Sequence, residues 1–344
     1  MIKLSFKPKQ VTKKLLSSLN TRAQDVLTKR YGLGTKDSAK MTLESIGSEY
    51  KITRERVRQI EEHALSAIRK SASYKEADKH FQELKDVVHK IGGVVSEEEF
   101  LNDVSDSEST KNHVHFLLVV GNDFFKKKED GHFVHRWYVN DKVISEVEKA
   151  IKKLYEKLSD DEIVTETQII KDFLNHLEAV SDEYRNEEFV KRWLRMSKTI
   201  SSNPLGEWGK TMSSNINVKG IRDYAYLVIR RHGSPIHFKE VAELIKKLFN
   251  KKAHVATCHN ELIKDKRFVL VGRGLYALSE WGYSAGVVRD VIADILRKKG
   301  PLSKKEIIDH VLKERYVKEN TIMVNLQNSK SFKKDKEGKY TVAE

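Results

Sequence analysis

Arg54, Glu55, Arg58 and Gln59 fall within one short stretch, Thr53–Glu61, which reads TRERVRQIE. On a helix Arg54 and Arg58 are four apart and stack on one face, and Glu55 and Gln59 stack on the adjoining face. These side-chain types match the edges of nucleic-acid bases. Arginine suits O6 and N7 of guanine, glutamine suits N6 and N7 of adenine, and glutamate accepts from N4 of cytosine; each good pair discriminates by about 1–3 kcal/mol. A run of Arg and Glu is equally the usual composition of a solvated helix face, and spacing alone does not separate the two readings.

Other reactive residue types are scattered. His254, Cys258 and His259 have no second cluster at zinc-ligand spacing, so no metal is expected and Cys258 reads as a small core residue. Gly272-x-Gly274 lacks a third glycine and a following helix, which makes it a hairpin turn rather than a dinucleotide loop. The pairs His113/His115 and His132/His135 come without a partner carboxylate motif, and Asp160-Asp161-Glu162 reads as a solvated turn or helix start. Trp193, Trp208 and Trp281 read as core or hairpin anchors. No nucleophile–base arrangement is present, so the expectation is a protein that is not an enzyme and uses no cofactor or small-molecule substrate.

The four candidate base readers need a rigid mount, and residues 42–70 provide one. Leu43, Ile46 and Tyr50 share one face of a first helix, and Lys51-Ile52 form a short break. Thr53 is a good N-cap, Glu55 suits the positive end of the second helix, and Val57, Ile60, Ala64 and Ile68 form its buried stripe. This is a helix-turn-helix pattern, in which the start of the second helix enters the major groove.

Residues 17–70 closely resemble the fourth conserved region of sigma-70-type RNA polymerase sigma factors. The resemblance is carried by Leu19–Gly34 (LNTRAQDVLTKRYGLG), Thr42–Gly47 (TLESIG) and above all Thr53–Glu61. It implies recognition of a promoter −35 element in double-stranded DNA, with Arg54, Glu55, Arg58 and Gln59 at the base-reading positions. Arg56 and the helix starts at Thr42 and Thr53 would face phosphates. In that family the domain also docks on the flap of the polymerase β subunit through apolar surface around its first helices, so the polymerase core is an expected partner. The turn position often taken by glycine is Lys51 here; a left-handed lysine would cost roughly 1–2 kcal/mol, unless the turn takes another shape. About 16 residues precede the match, so the regions that melt DNA and read the −10 element are not expected in this sequence.

The rest of the 344 residues suggests further domains. The net charge of +14 is unevenly spread. Residues 1–70 hold sixteen Lys/Arg against seven Asp/Glu, 71–218 hold 21 against 28, 219–284 hold 13 against 6, and 285–344 hold 14 against 9. Basic ends suit a polyanion, and the acidic middle suits protein partners. Three stretches repeat one pattern: Leu84–Val104, Ile221–Ile245 and Val288–Leu312 each give a helix, a stopping glycine (Gly92, Gly233, Gly300), a short apolar link and a second helix. A third amphipathic stretch follows each (Lys111–Val120, Ala253–Lys264, Lys318–Asn328). Then comes a hairpin pattern, at Phe124–Tyr138, Phe268–Leu278 and Phe332–Val342. Residues 143–217 read as a more divergent copy, with helices at Val143–Leu158, Thr165–Leu177 and Asn186–Ile200 and a weak hairpin around Asn203–Ile216. Residues Ile221–Trp281, ending GRGLYALSEWG, are also similar to the HARE-type winged helix found in the delta subunit of bacterial RNA polymerase. The long acidic tail of delta subunits is not matched; the chain ends in a basic unit.

The expected fold is therefore mainly α: a sigma-like helix-turn-helix over 1–72, then three or four tandem winged helix-turn-helix units with short β-hairpin wings. Their expected bounds are 75–140, 141–218, 219–284 and 285–344. One cysteine, no apolar run of the ~18 residues that span a bilayer and no secretion signal point to a cytoplasmic, nucleoid-associated protein. The expected function is a sequence-specific transcription factor that reads a −35-type element and touches RNA polymerase. The alternatives are a nucleoid-type or restriction-associated DNA-binding protein, or a protein-interaction scaffold, without polymerase contact.

Overall fold

A computed structural model of the chain describes residues 2–34, 39–177, 182–283 and 286–343. It is mainly helical and divides into two compact units, 1–201 with 208–211 and 202–207 with 212–344.

The first unit opens with α1 (Pro8–Leu16), α2 (Thr21–Tyr31), α3 (Leu43–Tyr50), α4 (Arg54–Lys70) and α5 (Ala72–Glu76). Their ends follow from local chemistry. Pro8 starts α1, where its missing N–H costs nothing. Asn20 caps α2 by accepting from the Ala23 amide at 2.9 Å, and Gly32 ends it in the left-handed conformation (φ 64°). Thr42 and Thr53 cap α3 and α4 by accepting from the amides of Ser45 and Arg56. The unit continues with α6 (Asp78–Lys90), β1 (Val94–Ser96), α7 (Glu97–Val104), α8 (Glu108–Val120), β2 (Phe125–Lys127) and β3 (Arg136–Tyr138). It closes with α9 (Asp141–Lys157), α10 (Glu166–His176), α11 (Glu187–Leu194), β4 (Ile200–Ser202) and β5 (Trp208–Lys210).

The second unit holds α12 (Ile221–His232), β6 (Ile236–His237), α13 (Phe238–Phe249), α14 (Val255–Lys264), β7 (Phe268–Leu270) and β8 (Leu275–Leu278). After these come α15 (Val288–Lys299), β9 (Leu302–Ser303), α16 (Lys304–Glu314), α17 (Glu319–Leu326), β10 (Phe332–Lys334) and β11 (Lys339–Val342).

The same order recurs as helix, strand, helix, helix, strand, strand. The apolar links that the sequence presents as mere connections are strands. Each pairs antiparallel with the last strand of its hairpin, giving sheets ordered β1-β3-β2, β6-β8-β7 and β9-β11-β10. The divergent stretch keeps the same topology in reduced form: Val164 forms a two-bond bridge with Trp208 (2.9 and 2.8 Å), and β4 lies beside β5. Two bounds differ from expectation there. The helix anticipated to reach Ile200 ends at Leu194, and Ile200 begins β4. The hairpin spans 200–210 rather than 203–216, because the Asn203 side chain accepts from the amides of Leu205 and Glu207 and closes the turn early.

The first unit has two main hydrophobic clusters. One joins Leu15, Leu27, Ile68, Leu84, Phe116, Leu117 and Trp137, so it runs without a break from α1, α2 and α4 into α6, α8 and β3. The other gathers Phe133, Val147, Ile151, Phe173 and Trp193. In the second unit Val291, Ile292, Ile307 and Ile322 form the cluster of its last helices. Trp193 and Trp208 are buried, and Trp281 is half-buried.

Candidate nucleic-acid interface

The α3–α4 pair is held by a small core of Val26, Ile46 and Val57. The link between the helices is tight. Lys51 adopts the left-handed conformation (φ 54°, ψ 42°), so the turn keeps the shape usually given to glycine and carries the lysine strain. The Ile52 amide donates to the Gly47 carbonyl at 2.9 Å. A Cβ on Gly47 would lie 2.8 Å from the Ile52 carbonyl oxygen, so only glycine lets α3 approach the turn this closely. Tyr50 donates to Asp25, and Lys29 reaches Glu49 at 2.6 Å, tying α3 to α2. Burial would raise the Asp25 pKa, but the hydrogen bonds it accepts from Tyr50 and Lys29 overcome it and hold the carboxyl below its ordinary value.

Arg54, Glu55, Arg58 and Gln59 are all exposed on the first two turns of α4, as is Arg56. They are not independent of one another. Arg58 donates from Nε and Nη2 to both oxygens of Glu55 (2.9 and 2.6 Å) and from Nη1 to Glu62. The bond from Arg58 holds the Glu55 carboxyl below its usual range, and the bond to Glu55 raises the Arg58 pKa. Arg56 donates to Oε1 of Gln59 at 3.1 Å, joining a residue expected at phosphate to one expected at a base. Arg54 makes no ion pair or hydrogen bond from its side chain among the described residues. These contacts lie in solvent, where ion pairs are weak, so exchanging them for base edges costs little. Thr42 and Thr53 are exposed, their hydroxyls already engaged as caps.

Sequence reasoning missed what supports this face from behind. α8 packs on α1, α2 and α4. Phe116 and Leu117 are fully buried, and the Phe116 ring meets Tyr31 edge-on at 5.3 Å. Asn112 donates to the Gly32 carbonyl at 3.1 Å, and Arg69 at the end of α4 donates to the carbonyls of Val119 and Val120. Tyr31 in turn donates to Glu61 at 2.8 Å, and burial raises its phenol pKa. The signal for this was the apolar run Val114–Val120, interrupted only by His115, since a helix apolar on all sides is a buried one.

The other chemical residue types do not converge. Cys258 is buried, with its thiol pushed up to about 11 by that burial. His259 stacks on Phe238 at 4.2 Å, and His254 is the N-cap of α14. Gly274 turns the β7–β8 hairpin at φ 73°. Among the described residues no group of three His, Cys, Asp or Glu could hold a metal, and no helix is long and apolar enough to cross a membrane.

Residues 15–70 match the family described as Sigma-70, region 4, and form a helix-turn-helix domain of that kind. The RNA polymerase sigma factor SigA of Nostoc sp. is 52% identical over 56 residues, which are 16% of this chain and 14% of that protein. SigA of Clostridium acetobutylicum is 46% identical over 56 residues, again 16% and 14%. The principal sigma factor HrdD of Streptomyces coelicolor is 41% identical over 58 residues, 17% of each chain. The similarity therefore covers about a sixth of this chain and 14–17% of those relatives.

Proposed function

We propose that this chain is a DNA-binding transcription protein that reads a −35-type promoter element with α4 and contacts RNA polymerase. The observation that carries the reading is the exposed start of α4, where Arg54, Glu55, Arg58 and Gln59 stand just after a capped, left-handed turn inside the Sigma-70, region 4 match. Arg54 and Arg58 would take guanine edges, Gln59 an adenine edge and Glu55 a cytosine amine, with Arg58 leaving Glu55 and Glu62 as it docks. Arg56 and the starts of α3 and α4 at Thr42 and Thr53 would meet phosphates. This is recognition without catalysis, and it uses no cofactor.

The remaining chain reads as winged helix-turn-helix units over 75–140, 141–218, 219–284 and 285–344 behind the 1–72 domain. The 219–284 unit is taken as the HARE-type one. The recurring link–hairpin sheet order supports this reading. For polymerase contact, α8 already covers much of the apolar face of α1, α2 and α4, leaving Leu16 and Leu19 half-exposed. In this reading a flap-type contact uses that remaining edge.

The test is footprinting on promoter DNA together with retention of core polymerase. Arg58→Ala should lose preference at one base pair by about tenfold. If it weakens all duplexes alike, the helix only grips DNA, as a nucleoid or restriction-associated protein would. No −35 preference and no retained polymerase would sink the proposal.

A further inference from the structure

In each recurring unit the third helix follows the second as α4 follows α3. These helices are α8, α11, α14 and α17. Three of them are unfit to meet a polyanion. α8 is spent in the core, with Val114, Phe116, Leu117, Leu118 and Val120 all buried. α11 opens on Glu187 and Glu188, and its Arg192 is paired with Glu99 and Asp103. α17 opens on Glu319 and contains no Lys, Arg or His.

α14 differs on every count. Its first turn has no acid, and its N-cap His254 makes no capping hydrogen bond from the side chain. Only Cys258 and Leu262 are buried, while Ala256, Asn260 and Lys264 are exposed and share a face at four-residue spacing. The helix before it ends in the same left-handed conformation as the helix before α4. α13 ends at Asn250 with φ 51° and ψ 32°, and α3 ends at Lys51 with φ 54° and ψ 42°. These are the two non-glycine residues with positive φ among the described residues. Lys246, Lys247, Lys251, Lys252 and Lys264 around this junction and helix are all exposed, and none has an ion pair or side-chain hydrogen bond among the described residues. Unpaired lysines of this kind release counterions when they meet phosphates, which drives binding to duplex nucleic acid.

We propose that α13 and α14 form a second contact for double-stranded DNA, with Lys251, Lys252 and Lys264 on phosphates and Asn260 facing the bases. Asparagine in that position pairs with adenine N6 and N7. The contact extends the reading of the chain as a DNA-binding protein and rests on it only for the class of partner; it does not require α4 to recognise a −35 element.

The experiment uses the full chain with Arg54→Ala/Arg58→Ala as background, so that residual duplex binding reports the rest of the protein. Adding Lys251→Glu/Lys252→Glu should lower affinity for a random-sequence duplex by at least about tenfold. It should also make log affinity against log salt shallower by about two. Lys251→Ala/Lys252→Ala should give a smaller loss in the same direction, and Asn260→Ala should change the sequences selected from a random pool. Unchanged affinity and salt slope in both lysine variants would overturn the proposal, as would single-stranded RNA competing better than duplex DNA. If Arg54→Ala/Arg58→Ala leaves −35 preference intact in the otherwise native chain, the α4 reading fails while this comparison still stands.

Discussion

Replacing Gly47 with alanine sets two opposing effects against each other. In the interior of α3, alanine gains about 1 kcal/mol over glycine in helix propensity. The new Cβ would lie 2.8 Å from the Ile52 carbonyl oxygen, a backbone atom that cannot rotate away. Relieving it moves the turn by a few tenths of an ångström and lengthens the Ile52 N–H to Gly47 carbonyl bond, now 2.9 Å. Overpacking of this kind costs about 1–3 kcal/mol, and a weakened hydrogen bond adds up to about 1 kcal/mol. The sum is a net local destabilisation of up to about 3 kcal/mol, and the middle of that range, about 1–2 kcal/mol, corresponds to about 5–30-fold faster amide exchange in α3 and the start of α4. DNA affinity should fall with it, because Thr53 and the base-reading residues ride on that turn. Ser48→Ala, on the exposed side of α3, is the control and should do neither. Slower exchange in Gly47→Ala with unchanged DNA binding would refute the close approach on which the argument depends.

Phe116→Ala should destabilise by about 3–5 kcal/mol, and its mark is where the loss appears. Amide exchange should quicken in α1, α2 and α4 as well as α8, since Phe116 is fully buried against them; an effect confined to α8 contradicts the shared core. At Lys51, valine should cost more than about 1–2 kcal/mol because a β-branched residue is worse than lysine at positive φ, and glycine should be neutral or stabilising. Denaturation of the two variants giving the reverse order would show that the junction is not left-handed. Acid should weaken the first unit. Burial lowers the pKa of His113, with Lys9 adding to it, and burial lowers that of His115 despite the opposing bond it donates to Glu97. Their contribution is full above the unfolded value of about 6.5 and is lost as pH falls through it toward the folded values. Glu97 is held low against its burial by hydrogen bonds from His115 and Lys126, so its own contribution fades only below about pH 4.3. Melting temperature should drop between about pH 7 and pH 5, less so in His113→Leu, and a flat profile would contradict the burial of these rings.

Features with a short-range cause were legible in the sequence. Thr42 and Thr53 cap helices through bonds to amides three residues on, and Gly233 and Gly274 take the positive φ that their turns require. The three hairpins at Phe124–Tyr138, Phe268–Leu278 and Phe332–Val342 form where alternation and turn residues placed them. The link strands were not legible. Two or three residues such as Ile236-His237 become a strand only because Tyr276 and Leu275 arrive to pair with them. The early turn at Asn203 and the short α11 were missed for the related reason that one side chain and one distant bridge decide where each ends.

The candidate interface divides the same way. Residue types and four-residue spacing by themselves determined that Arg54, Glu55, Arg58 and Gln59 share the outer surface of one helix, because a helix fixes those directions locally. Only the tertiary structure decided that Lys51 bears the left-handed strain and that α8 is buried against the back of the domain while α14 stays open. Amphipathic helices of similar length differ in fate because burial depends on what arrives from elsewhere in the chain, and that is set by the sum of long-range contacts rather than by any one segment.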